Sequence, residues 1–384
     1  METRSRLLAA LQGRQEERLA AGMLRSLGQT WAGPFASNDY LGLAQDGELS
    51  QRLVLAVSEG LPTGSTGSRL LSGGHPVFAE LENDFAVATG FPGALFFGSA
   101  SEANRAAVTT LAGRHDVVVL DELAHASLWD GALHSGARRE RFRHNDPEHL
   151  REVLRGLPAT KVRLVLTESV YSMDGDVAPL AELLQVCEEE DALLLVDEAH
   201  AAGIYGIKRT GLSEQLPKGG ALVATVHGCG KALGSSGGIL CAPQEVLDEI
   251  VNTCREFIFT TAPSPLTAFA ARQGWHLART QDWRRTELFA LARRLQDGLE
   301  ELGFAVPPRR VPTAILPILG GGLEATLVLG RKLSERGFPL RAVRAPTVPV
   351  GSERLRLTLN ATQGPEEIEA LLEALRQSLR GVRL

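Results

Sequence analysis

Short, continuously apolar segments alternate with longer amphipathic segments between residues 46 and 270, and this alternation is the feature that most constrains the fold. Six apolar runs are predicted as strands, at residues 94–97, 116–120, 162–167, 192–196, 222–226 and 238–240. Helical patterns lie between them, at 102–112, 178–190 and 245–256. Runs that are apolar along their whole length are typical of strands buried on both faces. The pattern therefore predicts an α/β domain with a doubly wound, mostly parallel sheet.

The two ends of the chain differ from this central part, and together they predict three segments. Residues 3–28 are rich in Arg, Glu, Leu and Ala and predict a helix within an N-terminal arm, residues 1–45. The large domain covers residues 46–272. A smaller α+β domain is predicted over 273–384, with helices at 283–302, 323–336 and after Gly364, and strands at 314–318, near 340–343 and at 354–359.

Composition and charge exclude several classes of protein. The formal net charge is −6, so no overall basic field favours nucleic acid or an anionic membrane as a partner. The four cysteines form no CxxC pair and no histidines stand at zinc-ligand spacing, so neither a disulfide framework nor a metal site is expected. The first residues lack the apolar core of a signal peptide, and no segment is long enough to span a membrane. We expect a soluble, cytoplasmic enzyme.

A lysine stands in a glycine-rich turn after one of the apolar runs. Lys231 lies in the segment HGCGKALG, residues 227–234. Glycine neighbours let another group approach the backbone closely, which is compatible with a lysine that forms a Schiff base with a carbonyl compound. Taken alone, this segment is more typical of a lysine in an exposed loop. A P-loop is excluded, because Ala232 follows the lysine where Ser or Thr is required, and Thr225 occupies the position of the first glycine.

Another apolar run ends in the polar segment VDEAH, residues 196–200. Asp197 and His200 therefore follow a strand at its carboxyl end, which is where open α/β sheets bind ligands. A carboxylate there can pair with a protonated pyridine nitrogen, and the histidine can bond a phenolic oxygen on the same ring. A simple helix cap by Asp197 is the alternative.

Three weaker signals follow other predicted strands. His125 can stack on an aromatic cofactor or lie in an exposed loop. Ser172 can donate a hydrogen bond or merely shape a turn. Ala100 and Ser101 open a predicted helix, whose first backbone N–H groups can bind phosphate; a plain N-cap by Ser99 is the alternative.

Together and in this order, these segments resemble the α-oxoamine synthases, a family of fold-type I transferases that depend on pyridoxal 5′-phosphate (PLP). The matching segments are SNDYLGL at 37–43, GSTGSR at 64–69 with ELE at 80–82, HAS at 125–127, YSMDG at 171–175, VDEAH at 196–200 and GKALG at 230–234. The resemblance extends from about residue 38 to the C-terminus. It implies a PLP-binding large domain and a smaller C-terminal domain.

The resemblance implies a role for each candidate residue near the cofactor. Lys231 would form the Schiff base with PLP and later move the α-proton of the substrate. Asp197 would pair with the pyridine nitrogen, His200 would contact the phenolic oxygen, and His125 would stack on the ring. Further contacts would come from Ser172, from the backbone at Ala100 and Ser101, and from Thr260 or Thr261 of the neighbouring subunit in a homodimer with shared active sites.

The C-terminal segments RAPTVP, residues 344–349, and RLRLTL, residues 354–359, are similar to those of family members that condense L-alanine with a pimeloyl thioester in biotin biosynthesis. The acyl carrier would be CoA or a carrier protein. Arg356 would then clamp the amino-acid carboxylate through a bidentate pair, and Thr347 would line the acyl side. Arg25 in the arm and Asn38 are further candidate substrate contacts.

Two positions depart from the family pattern. Gly228 stands three residues before the lysine, where the family commonly has a threonine that binds phosphate. Ala100-Ser101 replaces a glycine followed by an aromatic residue. Three alternatives therefore stay open: a sister synthase that uses glycine or serine with another acyl-CoA, a PLP aminotransferase, and a non-catalytic, PLP-free relative of the same fold.

Overall fold

The fold was analysed in a computed structural model that describes residues 2–24, 33–158, 162–306 and 311–379. The strands are β1 Gly93–Phe97, β2 Val117–Asp121, β3 Arg138–Phe142, β4 Arg163–Glu168, β5 Leu193–Asp197, β6 Leu222–Gly228, β7 Gly238–Ala242, β8 Ile315–Leu319, β9 Ala342–Val343 and β10 Arg354–Thr358. The α-helices are α1 Glu2–Ala20, α2 Gly47–Ser58, α3 Pro76–Thr89, α4 Ala100–Leu111, α5 Ala126–Ser135, α6 Pro147–Arg155, α7 Leu180–Glu189, α8 Gln244–Thr253, α9 Arg255–Ile258, α10 Pro265–Thr280, α11 Trp283–Glu301, α12 Leu323–Ser334 and α13 Pro365–Leu379.

A seven-stranded sheet in the order β1-β7-β6-β5-β4-β2-β3 forms the centre of the larger part of the chain. Strands β3, β2, β4, β5 and β6 run parallel to one another, whereas β7 runs antiparallel to both β6 and β1. Parallel neighbours require crossover connections, which the intervening helices supply. The predicted α/β fold with a mostly parallel sheet is confirmed.

The core of this sheet is built from its continuously apolar strands. Val118, Leu120, Leu164, Leu166 and Leu195 are fully buried, as expected for strands covered on both faces. Alanines of α4 pack in the same cluster, and their small side chains let the helix lie close to the sheet. This rigid layer sets the positions of the strand ends that carry the polar residues.

Three elements differ from the sequence-based prediction. The edge strand β3 was not predicted, because its sequence RRERF is mostly charged; edge strands are commonly protected in this way. The predicted helix over 3–28 ends at Ala20, and Gly22 then adopts a left-handed φ of 64° that stops a helix. The predicted helix over 245–256 is interrupted at Cys254, whose backbone is extended.

The described chain divides into two compact units. The larger one comprises residues 37–317 and 358–372, and the smaller one comprises residues 1–36, 318–357 and 373–384. A three-stranded sheet in the order β8-β10-β9 lies in the C-terminal part of the chain. The division into an arm, a large domain and a small domain with boundaries after residues 45 and 272 stays a prediction. No helix in the described ranges combines the length and apolarity needed to cross a membrane.

Candidate active site

Polar side chains from several elements of the larger unit line one cleft with a free volume of about 260 Å³. Its lining residues are Ala100, Ser101, Asn104, His125, Ser127, Glu168, Asp197, Ala199, His200 and Lys231. Strands β4 and β5 end at this cleft with Glu168 and Asp197, which are register partners. The carboxyl end of a parallel sheet is the usual ligand-binding edge of this architecture.

The carboxylate of Asp197 is fixed by two donors. Its Oδ1 accepts a hydrogen bond from the backbone N–H of Ala199 at 2.8 Å, and its Oδ2 accepts one from Asn104 Nδ2 at 2.6 Å. Asp197 is 4% exposed and Asn104 is 1% exposed. Neither donor is charged, so these bonds orient the carboxyl group of Asp197 without pairing it with a cation.

Asn104 also links Asp197 to the histidine at the start of α5. Its Nδ2 lies 2.9 Å from Ser127 Oγ, and Ser127 Oγ lies 2.8 Å from His125 Nδ1. The backbone N–H of Ser127 also donates to His125 Nδ1, at 3.2 Å. His125 acts as the N-cap of α5, so the ring position is set by the helix start and by Asn104 together.

His200 is held by a tyrosine from the segment before α2. The hydroxyl of Tyr40 lies 2.7 Å from His200 Nδ1 and 3.1 Å from Asn38 Oδ1. Tyr40 is 1% exposed. The single hydroxyl proton of Tyr40 goes either to Asn38 Oδ1 or to His200 Nδ1. When it goes to Nδ1, the imidazole proton resides on Nε2, which can then donate to an acceptor in the cleft. Asn38 thus joins the site through Tyr40.

Lys231 follows β6 in a tight turn. The turn is closed by hydrogen bonds from Cys229 N to Gly237 O at 2.9 Å and from Gly234 N to Lys231 O at 3.0 Å. Gly234 has a φ of 64°, and a Cβ there would lie 2.6 Å from the carbonyl carbon of Leu43. Only glycine fits at that position, and the half-buried lysine is therefore presented on a rigid turn.

Gly228, one of the two departures from the family pattern, packs directly against Ala199. A Cβ at Gly228 would lie 3.0 Å from the Cβ of Ala199. His227 is buried and bonds Thr225 Oγ1 at 2.9 Å and Thr210 O at 2.7 Å; burial lowers its pKa to about 4, so the ring is neutral. His227 and Thr225 thus bond each other, and neither lines the cleft.

The remaining candidates occupy other places. Ser172 lies in the loop closed by the bridge between Val170 and Val177. Thr260 and Thr261 are exposed and line a separate cavity of about 420 Å³. In the smaller unit, Thr347 N donates to Arg344 O in a turn, and Arg356 lies half-buried on β10. Arg25 lies outside the described residues.

Four polar residues of the site were not singled out from the sequence: Tyr40, Asn104, Ser127 and Glu168. Asn104 lies one helical turn beyond Ala100, on the side of α4 that faces the cleft, so the helical period offered a signal. Glu168 is the last residue of a predicted apolar strand, as Asp197 is, so the same strand-end argument applies to it.

Comparison with known proteins gives a consistent picture. A family model described as aminotransferase class I and II matches residues 34–375. The 8-amino-7-oxononanoate synthase of Alkalilimnicola ehrlichii is 42% identical over 346 residues, which is 90% of this chain and 88% of the relative. The 8-amino-7-oxononanoate synthase of an Anaeromyxobacter species is 43% identical over 345 residues, 90% of this chain and 86% of the relative.

The same architecture occurs in solved structures. Serine palmitoyltransferase from S. paucimobilis with a bound PLP–myriocin aldimine superposes with a TM-score of 0.88 at 28% sequence identity. The similarity covers 97% of each chain.

Proposed function

This chain belongs to the aminotransferase class I and II family, and on that premise we propose that it condenses L-alanine with a pimeloyl thioester to form 8-amino-7-oxononanoate. This is a decarboxylative acyl transfer and a step of biotin biosynthesis. The carbon–carbon bond forms between the α-carbon of alanine and the thioester carbonyl, and the thiol and CO2 leave. The observation that carries the proposal is identity of about 40% to synthases of this reaction over some nine-tenths of the chain.

PLP is the cofactor, and the cleft fits it. One small cleft is lined by four groups: the carboxyl group of Asp197, the amine of Lys231, the imidazole of His200 and the helix start at Ala100. These are the groups that a pyridine nitrogen, an aldehyde, a phenolic oxygen and a phosphate require. When bound, PLP supplies an aromatic ring that accepts the electron pair left at the substrate's α-carbon.

Each side chain then has a defined task. Lys231 Nζ would hold the cofactor and would accept the α-proton of the substrate. Asp197, held by Asn104, would pair with the pyridine nitrogen. His200, oriented by Tyr40, would contact the phenolic oxygen. His125, fixed through Ser127, would cover one face of the ring.

Other candidate contacts belong to the same proposal. Ser172 would add a hydrogen bond to the cofactor, and backbone N–H groups at Ala100 and Ser101 would bind its phosphate. On the substrate side, Arg356 is the proposed partner of the carboxylate of alanine, with Asn38 as a further contact. Thr347 is proposed as a contact of the acyl chain, and the same role for Arg25 concerns a residue outside the described ranges.

The active form is proposed to be a homodimer. Thr260 and Thr261 are exposed, and they line a cavity separate from the cleft of their own chain. In the proposed dimer these two side chains would contact the phosphate bound by a second copy, so that the active site is shared. Cytoplasmic location stays a prediction.

A sister synthase that takes serine or glycine is the second candidate, because the serine palmitoyltransferase fold superposes along nearly the whole chain. Sequence identity favours the first candidate, at 42% against 28%.

The test separates the two candidates. PLP-loaded protein is incubated with pimeloyl-CoA and, in separate reactions, with alanine, glycine or serine, and thiol release is followed. Release only with alanine supports the proposal. Release only with serine or glycine overturns it in favour of a sister synthase.

A further inference from the structure

Glu168 is a buried carboxyl group of the cleft to which the proposed mechanism gives no task. It is 2% exposed and ends β4, where it is the register partner of Asp197 on β5. Register partners on adjacent parallel strands lie about 4.8 Å apart and direct their side chains to the same face of the sheet. Two carboxyl groups therefore stand side by side in a cleft that also contains Lys231.

The hydrogen bonds of Glu168 are incomplete, in contrast to those of the neighbouring buried acid Glu198. Glu198 accepts from Ser169 Oγ at 2.5 Å, from Ser213 N at 2.6 Å and from Leu212 N at 3.1 Å. Glu168 accepts one from the backbone N–H of His125. Its other oxygen, Oε1, is buried and has no hydrogen-bond partner among the described residues.

An orphaned oxygen in a ligand cleft points to a ligand, because buried polar atoms are nearly always satisfied. Glu198 shows that this fold supplies donors where a buried carboxylate is structural. At Glu168 Oε1 the fold supplies none, although Glu168 is one of the residues that line the cleft.

The charges around Glu168 indicate which form it takes. Burial raises the pKa of Glu168 well above its usual range, and the negative charge of Asp197 raises it further. The His125 N–H and the charge of Lys231 oppose this shift, while Asp121 adds to it. Like charges on adjacent strand ends disfavour ionisation of both carboxyl groups. Asp197 accepts two hydrogen bonds from the protein, so we assign the proton to Glu168.

We propose that Glu168 acts as a neutral carboxylic acid whose Oε1 hydroxyl donates a hydrogen bond to the bound cofactor–substrate. The proposal rests on the proposed function for the identity of that ligand. A protonated acid offers a donor without adding negative charge beside a phosphate-bearing cofactor. It also leaves Asp197 as the one anionic partner on these two strand ends.

Two variants of similar size separate the donor from the charge. Glu168→Gln keeps a donor and cannot ionise, whereas Glu168→Leu has neither property. We expect Glu168→Gln to keep the PLP dissociation constant and kcat/KM within about threefold of the parent, and Glu168→Leu to weaken both by at least tenfold. Equal loss in both variants would show that the ionised carboxylate is needed, and full activity in Glu168→Leu would show that Glu168 is a spectator; either result overturns the proposal.

A second measurement needs neither substrate nor turnover. An acid whose pKa is raised by folding stabilises the folded state below its unfolded pKa, and that contribution is lost as pH rises towards the folded value. The apoprotein of Glu168→Gln should therefore gain in Tm relative to the parent between about pH 5 and pH 8. Asp197, Asp121, Lys231, His125 and His200 are present in both proteins, so the two proteins differ in the titratable group at position 168 alone. A difference in Tm that does not change with pH would overturn the proposal that Glu168 is protonated. This test does not depend on the substrate assignment.

Discussion

Asn104 Nδ2 lies 2.6 Å from Asp197 Oδ2, and this bond joins the first turns of α4 to the end of β5. Both residues are buried. The amide fixes the orientation of the carboxylate that faces the pyridine nitrogen in the proposed complex, so Asn104 is a positioning residue for the cofactor.

Asn104→Leu tests this relationship. The substitution leaves Asp197 Oδ2 and Ser127 Oγ without their donor, and loss of a hydrogen bond to a charged group costs about 1.5–3 kcal/mol. We expect the PLP dissociation constant, measured by absorbance on the apoprotein, to rise roughly 10- to 100-fold. Asn252→Leu, on the exposed face of α8, is the matched control and should leave that constant unchanged. Unchanged affinity in Asn104→Leu would contradict the positioning role.

Tyr40→Phe removes the hydroxyl that lies 2.7 Å from His200 Nδ1. The imidazole loses the partner that fixes its tautomer, so Nε2 carries a proton for a smaller fraction of the time. We expect kcat/KM to fall by about tenfold, which corresponds to ~1.4 kcal/mol, while the far-UV spectrum stays the same. Activity equal to that of the parent would show that Tyr40 does not orient His200.

Lys231→Ala should abolish turnover, because no other amine lines the described cleft. The variant should also fail to retain PLP covalently after borohydride reduction, which mass spectrometry of the intact protein detects. Near-normal turnover, or covalent PLP on another lysine, would remove Lys231 from the mechanism.

His144 predicts a loss of stability at alkaline pH. Burial alone would lower its pKa, but hydrogen bonds to Asp121 Oδ1 at 2.8 Å and Asp176 Oδ2 at 2.7 Å outweigh burial and raise the pKa to about 10. Because the folded pKa is raised, the stabilisation is complete below pH ~6.5 and is lost as pH rises through about 10. The imidazole and the ring of Tyr171 also pack in a T-shaped pair, with centroids 4.3 Å apart.

Thermal unfolding of the parent and of His144→Gln measures this effect. At pH 7 the variant should be less stable by a few kcal/mol, on the order of the linkage expected for such a shift. The difference should shrink steadily between pH 8 and pH 10.5. A difference that is constant over this range would show that the imidazole is not charged in the folded protein.

Much of the fold followed from the sequence because its strands carry a strong local signal. Continuous apolar runs identified six of the seven strands of the main sheet. The exception, β3, is charged on its exposed edge and resembles a loop. Helix ends depended on single backbone conformations, such as that of Gly22, which composition does not encode.

The site was predictable to the extent that its residues follow strands. The structure places four of the predicted residues around one cleft: Lys231, Asp197, His200 and His125. They lie close together because strand ends share one edge of the sheet. Tyr40 was not predicted as a site residue because it reaches His200 from a distant segment.

The most direct test of the central claim is the fate of alanine's carboxyl carbon. PLP-loaded protein is given pimeloyl-CoA and alanine labelled in that carbon, and free thiol, labelled CO2 and the amino-ketone product are quantified together. The account predicts one labelled CO2 and one unlabelled 8-amino-7-oxononanoate for each thiol released. Thiol release without labelled CO2, or a product that retains the label, would contradict decarboxylative condensation.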